Sequence, residues 1–291
     1  MKYYVEYPIT LDCRLGCHYC FHADHRKECI LGGPQFEAWK YARWRDTHLR
    51  DAKDIIIHFH GGEPSTPLNV ALIERVVPHL TIERVDMLTN GLGKDAEYDR
   101  LLALPVKWNR VGFTYHRPMI GTDPKRTAIY HRNLMRFRDA GIQVFAKELL
   151  FVEFRESIRR AKKHWEKMGI PFKVQDYKGS LRGEDFTDFS QYTKSDMALI
   201  DAEYKHPATG ECACRAGYKP VLIRGGWQDG DVVGCWIDPC VVGNIHDNTY
   251  SPGYRVVIDP AKGKTDVQGV PKVYRGTFAD DRWLDNQKVK N

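Results

Sequence analysis

The chain has 291 residues, 42% hydrophobic and 28% charged, a balance that excludes fibrous and disordered classes and suits a medium-sized folded domain with an appendage. No run reaches the ~18 apolar residues of a membrane span, and Met1-Lys-Tyr-Tyr-Val-Glu-Tyr-Pro8 has one basic residue and no long apolar region. Neither secretion nor membrane insertion is therefore indicated, and a cytoplasmic location is expected. The net charge of +6 leaves a nucleic-acid partner open, but the densest basic stretch, Arg155 to Lys167, has helical periodicity and reads as a solvated outer face.

In chain order, six β-like runs alternate with helix-like segments: Tyr3–Thr10, Asp54–Phe59, Arg84–Thr89, Arg110–Thr114, Gln143–Leu149 and Phe172–Gln175. Such alternation predicts βα units building a parallel sheet. Ile73, Val76, Val77 and Leu80 form one helical stripe, and Ile158, Ala161, Trp165 and Met168 another. Ser157 reads as an N-cap, and Gly141 and Gly169 as glycines that stop helices. Six units are too few for the closed eight-fold barrel, so the expected fold class is α/β, an open (βα)6 TIM-like barrel spanning residues 1–180.

The alternation stops at about Ser180, and residues 181–210 read as a linker with one helix near Ser195–Tyr204. Residues 211–291 read as a small cysteine-rich extension with a hairpin formed by Val221–Arg224 and Asp231–Val233. The last forty residues show little periodicity and are expected to wrap over the core.

The eight cysteines fall in two groups, 13–29 and 212–240. In a reducing compartment they read as metal ligands rather than disulfides. Cys13, Cys17 and Cys20 share one short loop after the first strand, a soft donor set suited to iron–sulfur or zinc. A closed zinc site needs a fourth ligand, which His18 or His22 could supply; Cys29 reads as an unliganded thiol. Other polar groups collect at the strand ends, where barrel enzymes place their chemistry. Gly61-Gly62-Glu63-Pro64 follow the second strand, Thr89-Asn90-Gly91 the third and Thr114-Tyr-His116 the fourth, while Lys147 and Glu148 close the fifth and Gln175 and Asp176 the sixth. His58 and His60 fall on one face of the second strand.

CxxxCxxC after strand one, paired with a GGE turn after strand two, resembles the radical S-adenosylmethionine (radical SAM) superfamily. The resemblance implies a [4Fe-4S] cluster on Cys13, Cys17 and Cys20, with one iron left open for S-adenosylmethionine. It also implies reductive cleavage of that cofactor to a 5′-deoxyadenosyl radical, which abstracts hydrogen from a substrate. By the same resemblance, Gly61, Gly62, Glu63 and Pro64 receive the methionyl ammonium and Tyr19 packs near adenine. From their strand-end positions Thr89, Asn90 and Thr114 are candidate cofactor contacts, and Lys147, Arg117 or Arg126 is the candidate partner of its carboxylate.

Cys212, Cys214, Cys235 and Cys240, with Gly243-Asn244-Ile245, resemble the SPASM and Twitch extensions of this superfamily, which implies one auxiliary [4Fe-4S] cluster; a four-thiolate zinc ribbon stays open. The implied substrates are a peptide, oxidised or cross-linked, or a small metabolite, dehydrogenated, with flavodoxin or ferredoxin as external electron donor. Cys13 lies close to the start, so a peptide would be bound by barrel and tail or by a separate recognition protein. Two alternatives remain: a radical SAM enzyme modifying RNA, and a non-catalytic zinc-binding protein.

Overall fold

The computed structural model describes residues 2–20, 38–52, 54–176, 193–201, 220–223, 231–233, 241–245, 247–250, 255–259 and 264–268. Strands β1 (Lys2–Pro8), β2 (Asp54–His60), β3 (Arg84–Thr89), β4 (Lys107–Thr114), β5 (Val144–Leu150) and β6 (Phe172–Asp176) lie side by side, all parallel, in chain order. All six predicted strands are present. Helices α1 (Ala38–His48), α2 (Pro67–Val76), α3 (Asp95–Leu102), α4 (Arg117–Ile120), α5 (Pro124–Asp139) and α6 (Arg155–Lys167) fill the connections.

Local chemistry sets these boundaries. Thr66 caps α2 by accepting from the Asn69 N–H, and Asp123 caps α5 by accepting from Lys125 and Arg126; each helix then begins on a proline whose missing N–H costs nothing there. Gly141 and Gly169 end α5 and α6 in the left-handed region, at φ 78° and 72°. Ser157 is not a cap: a 3-10 turn over Val152–Phe154 runs straight into α6, which starts at Arg155, so Ser157 sits inside the first turn.

One face of the sheet carries the apolar residues and packs on the helices. Ile55, Ile57 and Phe59 of β2, Val85 and Met87 of β3, and Val111 and Phe113 of β4 are all buried there. Phe113 packs edge-on against Tyr130 and Phe137 of α5, with centroids 6.1 and 5.7 Å away. Burial of each such side chain contributes about 1.5–3 kcal/mol. Strand alternation turns His58, His60, Gly112, Thr114, Phe145 and Lys147 to the opposite face.

The sheet does not end at β1. Strand β7 (Pro220–Ile223) pairs parallel to it, Val5 opposite Val221, and β8 (Asp231–Val233), β9 (Val241–Asn244) and β10 (Thr249–Tyr250) continue antiparallel to make ten strands. The expected hairpin is therefore present, with Leu222 opposite Val233, but it grows from the edge of the core sheet. Helix α1 reaches the outermost strand, β10: Trp44 Nε1 donates to the Thr249 carbonyl at 2.9 Å. Helix α7 spans only Lys194–Leu199, shorter than expected, closed at its start by a Thr193–Asp196 capping box. A second hairpin, β11 (Arg255–Asp259) with β12 (Lys264–Gln268), lies in the stretch where periodicity was weak. His22, Cys29, Cys212, Cys214, Cys235 and Cys240 lie outside the described residues. Among the described residues, no helix is long and apolar enough to cross a membrane.

Candidate active site

The cysteine loop leaves β1 and folds directly over the turn after β2. Ile9 N–H donates to the His60 carbonyl at 3.0 Å, and then Gly62 and Glu63 N–H donate to the carbonyls of Thr10 and Asp12, each at 2.7 Å. Only glycine allows this approach. A Cβ on Gly62 would overlap the carbonyl oxygen of Asp12 and the carbonyl carbon of Leu11, while Gly61 adopts φ 128° with the Thr10 carbonyl against it. The two glycines thus admit the backbone of the cysteine loop itself.

Asn69, a buried residue in the first turn of α2, locks the arrangement. Its Oδ1 accepts from Thr10 Oγ1 at 2.6 Å, and its Nδ2 donates to the Glu63 carbonyl at 2.8 Å and to the Asp12 carbonyl at 3.5 Å. One side chain therefore holds both motifs. Sequence reasoning missed Asn69, because it carries no motif and its partners lie far away in the chain.

Glu63 is 4% exposed, and its carboxylate takes four hydrogen bonds, three on Oε1 and one on Oε2. It accepts from Ser65 N–H at 3.0 Å, Ser65 Oγ at 2.7 Å, Thr89 Oγ1, and Asn90 N–H at 2.6 Å. Thr89 Oγ1 also meets the Tyr98 hydroxyl at 2.8 Å, so Glu63 and Thr89 face α3 and clamp the turns after β2 and β3 together. Burial pushes the Glu63 carboxyl above its ordinary range, although all four hydrogen bonds oppose this. Asn90 spends its Oδ1 on Leu92 N–H in a tight turn.

Across the mouth, Tyr19 is buried between Phe151 and His18, and its hydroxyl lies 3.0 Å from His116 Nδ1. Burial and the neighbouring Lys147 cation hold His116 down at about 4, so its ring is neutral at physiological pH. Lys147 Nζ donates to Gln175 Oε1 at 3.0 Å, and Thr114 stands beside Lys147 in register. Sequence reasoning placed His116 at a strand end but gave it no role. Arg117 is engaged elsewhere, in a two-bond pair with Glu148 at 2.8 and 2.6 Å. Arg126 lines a cavity of about 270 Å³ with Arg14, Glu63, Ser65 and Asn90; Tyr19, Thr114 and Lys147 are not among its walls.

Cys17 is buried, Cys13 and Cys20 are half-buried, and none forms a disulfide with a described residue. Cys20 N–H donates to the Cys17 carbonyl at 3.2 Å, which closes the loop between them. Among the described residues, no three His, Cys, Asp or Glu side chains converge as a single ion requires. A cluster takes one thiolate per iron at separate corners, so three soft donors on one loop fit it without converging on a point.

No family model matches the sequence, and no curated protein matches it. Solved structures match by shape. Native anSMEcpe with bound AdoMet (S-adenosylmethionine) superposes with a TM-score of 0.59 at 14% identity, over 85% of this chain and 78% of that one. Its complex with AdoMet and the Cp18Cys peptide gives 0.58 at 14% identity, over 84% and 78%. The complex with AdoMet and the Kp18Cys peptide gives 0.55 at 15%, over 84% and 78%. The fold is the open TIM-like barrel. In this fold the cysteine loop, the glycine turn, Tyr19 and Thr114 stand at the C-terminal ends of the parallel strands; Lys147 and Glu148 do not close β5, which runs on to Leu150, and Lys147 lies level with Thr114 instead.

Proposed function

We propose that this chain is a radical SAM enzyme, with Cys13, Cys17 and Cys20 holding a [4Fe-4S] cluster whose open iron takes S-adenosylmethionine. The observation that carries the reading is the glycine turn hydrogen-bonded to the cysteine loop, Gly62 to Thr10 and Glu63 to Asp12. It makes one rigid unit of the two motifs. The likeness in fold to a protein with bound AdoMet supports it. When bound, the cluster and the sulfonium cofactor would supply one-electron cleavage and a hydrogen-abstracting radical.

The chain's own residues bind, orient and exclude water. The Glu63 carboxylate is held by Ser65, Thr89 and Asn90 and braces the turn, while the methionyl ammonium falls to backbone carbonyls of the Gly61–Pro64 turn. Thr89 acts with Glu63 as support, while Asn90 lines the adjoining cavity. Tyr19, held by His116, offers an aromatic wall for adenine, and Thr114 and Lys147 meet the ribose and carboxylate. A peptide substrate, oxidised or cross-linked, is favoured over a small metabolite, because the peptide-bound anSMEcpe structure shares the fold. Cys212, Cys214, Cys235 and Cys240 would hold an auxiliary cluster that passes electrons onward, with flavodoxin or ferredoxin as external donor in the cytoplasm.

Anaerobic reconstitution followed by reductant and S-adenosylmethionine tests the proposal: 5′-deoxyadenosine should form, and Cys17→Ala should abolish it. Zinc without sulfide in the anaerobically purified chain would overturn it. Cys235→Ala should spare cofactor cleavage and impair turnover of the true substrate.

A further inference from the structure

On the helix side of the sheet, a cleft of about 320 Å³ opens between α5 and α6. Arg117, His131, Glu148, Arg160, His164 and Trp165 line it, and none of these belongs to the site described above. Glu148 is 1% exposed, and both its oxygens are taken by Arg117. A guanidinium has five donors; those not used by Glu148 have no protein acceptor among the described residues. The His131 ring lies over Trp165 at 4.6 Å and beside His164 at 5.9 Å. Neither imidazole has a hydrogen-bond partner among the described residues. Arg160 closes the rim from α6, donating to Ser157 Oγ at 3.1 Å.

The charge around the cleft is unbalanced. Two guanidiniums and two imidazoles face one carboxylate, whose oxygens are already satisfied. Burial first, and then the neighbouring His164, hold His131 below its ordinary value. A cation has no unoccupied carboxylate to meet here, whereas an oxyanion finds unused donors on Arg117 and on both imidazoles.

We propose that this cleft binds a small oxyanion, the phosphate or carboxylate group of a metabolite, between Arg117 and Arg160 with His131 and His164 as further donors. Guanidinium forks match such groups, and charge-assisted hydrogen bonds hold them more strongly than neutral ones. Arg117 directly follows His116, and Glu148 directly follows Lys147. The cleft thus lies back to back with the Tyr19 wall, and an anion that draws on Arg117 acts on the segment that positions His116.

Isothermal titration of the full chain with inorganic phosphate, and separately with succinate, at constant ionic strength tests this. A saturable heat is expected with at least one; phosphate alone would identify a phosphate ester as the ligand, and succinate alone a carboxylate. Arg160→Gln, on an exposed helix position, should weaken binding about tenfold or more by removing a charge-assisted donor. Glu148→Gln should strengthen it, since Arg117 then no longer faces a competing anion. No saturable heat with either anion, or a heat unchanged by Arg160→Gln, would overturn the site. Should Glu148→Gln fail to fold, Arg160→Gln decides alone. The readout needs neither iron nor S-adenosylmethionine, so it stands apart from the proposed reaction.

Discussion

Replacing Gly62 with alanine tests the link between the two motifs most directly. The new methyl carbon would occupy the space of the Asp12 carbonyl oxygen and the Leu11 carbonyl carbon, both backbone atoms that cannot rotate away. The cysteine loop must move, and the Gly62-to-Thr10 and Glu63-to-Asp12 hydrogen bonds go with it. Each such bond contributes about 0.5–1.5 kcal/mol, and a forced overpacking adds about 1–3 kcal/mol. The expected cost is therefore about 2–6 kcal/mol, concentrated in the loop, because the core strands do not depend on these contacts. Gly16→Ala is the control within the same loop: φ is 67° there but a Cβ meets nothing within 4 Å. That substitution should cost only the left-handed strain, about 1–2 kcal/mol. The assay is iron and sulfide per chain after anaerobic reconstitution, read beside a guanidinium melt. Gly62→Ala should lose most of its iron while Gly16→Ala keeps more. If Gly62→Ala held as much iron as the parent and melted at the same denaturant concentration, the reasoning would be refuted.

Asn69→Ala leaves the Thr10 hydroxyl and the Glu63 carbonyl without their buried partner; a loss of about 1–3 kcal/mol is expected, with slower 5′-deoxyadenosine formation, and an unchanged melt would argue against its bridging role. Glu63→Gln puts an amide where the carboxylate takes four donors, so stability should fall by a similar amount while the folded fraction keeps its affinity for S-adenosylmethionine. A large affinity loss at unchanged stability would instead assign the carboxylate to the cofactor. Burial raises Glu148 to about 7 from an ordinary 4.5, so its contribution to stability is complete below pH 4.5 and is lost as pH rises through 7. Glu148→Gln should therefore gain stability relative to the parent across that window, by up to about 3 kcal/mol at 1.36 kcal/mol per pH unit. Denaturant melts at stepped pH check this, and a pH-independent difference would count against it. His116 has the opposite sign: it is held down at about 4, so its contribution is present above pH 6.5 and lost as pH falls through 4. Parent melts should thus vary little between those limits, and His116→Gln should expose the slope due to Glu148.

Much of the barrel was legible because its cues are local. Runs such as Asp54-Ile-Ile-Ile-His-Phe-His60 have the branched residues and alternation of a strand, and Gly141 and Gly169 mark helix ends by the backbone they permit. The strand ends followed from that, and with them Tyr19, the glycine turn and Thr114, whereas Lys147 falls inside β5, which continues to Leu150. What could not be read depends on partners distant in sequence. The pairing of Val221 with Val5 leaves no local mark, and so a hairpin recognisable in itself gave no sign of where it docks. Glu63 reads as a ligand in its motif, yet its orientation is decided by Ser65, Thr89 and Asn90 across two turns. Ser157 looks like a cap, but the preceding 3-10 turn over Val152–Phe154 starts the helix two residues before it.

The parallel seam between β1 and β7 also bears on how the chain avoids sticking to itself. Without β7, the first strand would present a row of open amides and carbonyls beside the cysteine loop, a template for a neighbouring molecule. The meander β7 to β10 moves that vulnerable border outward to the two-residue strand Thr249–Tyr250, too short to recruit another chain well. Cutting the protein after β6 would therefore yield an oligomerising fragment rather than a minimal barrel.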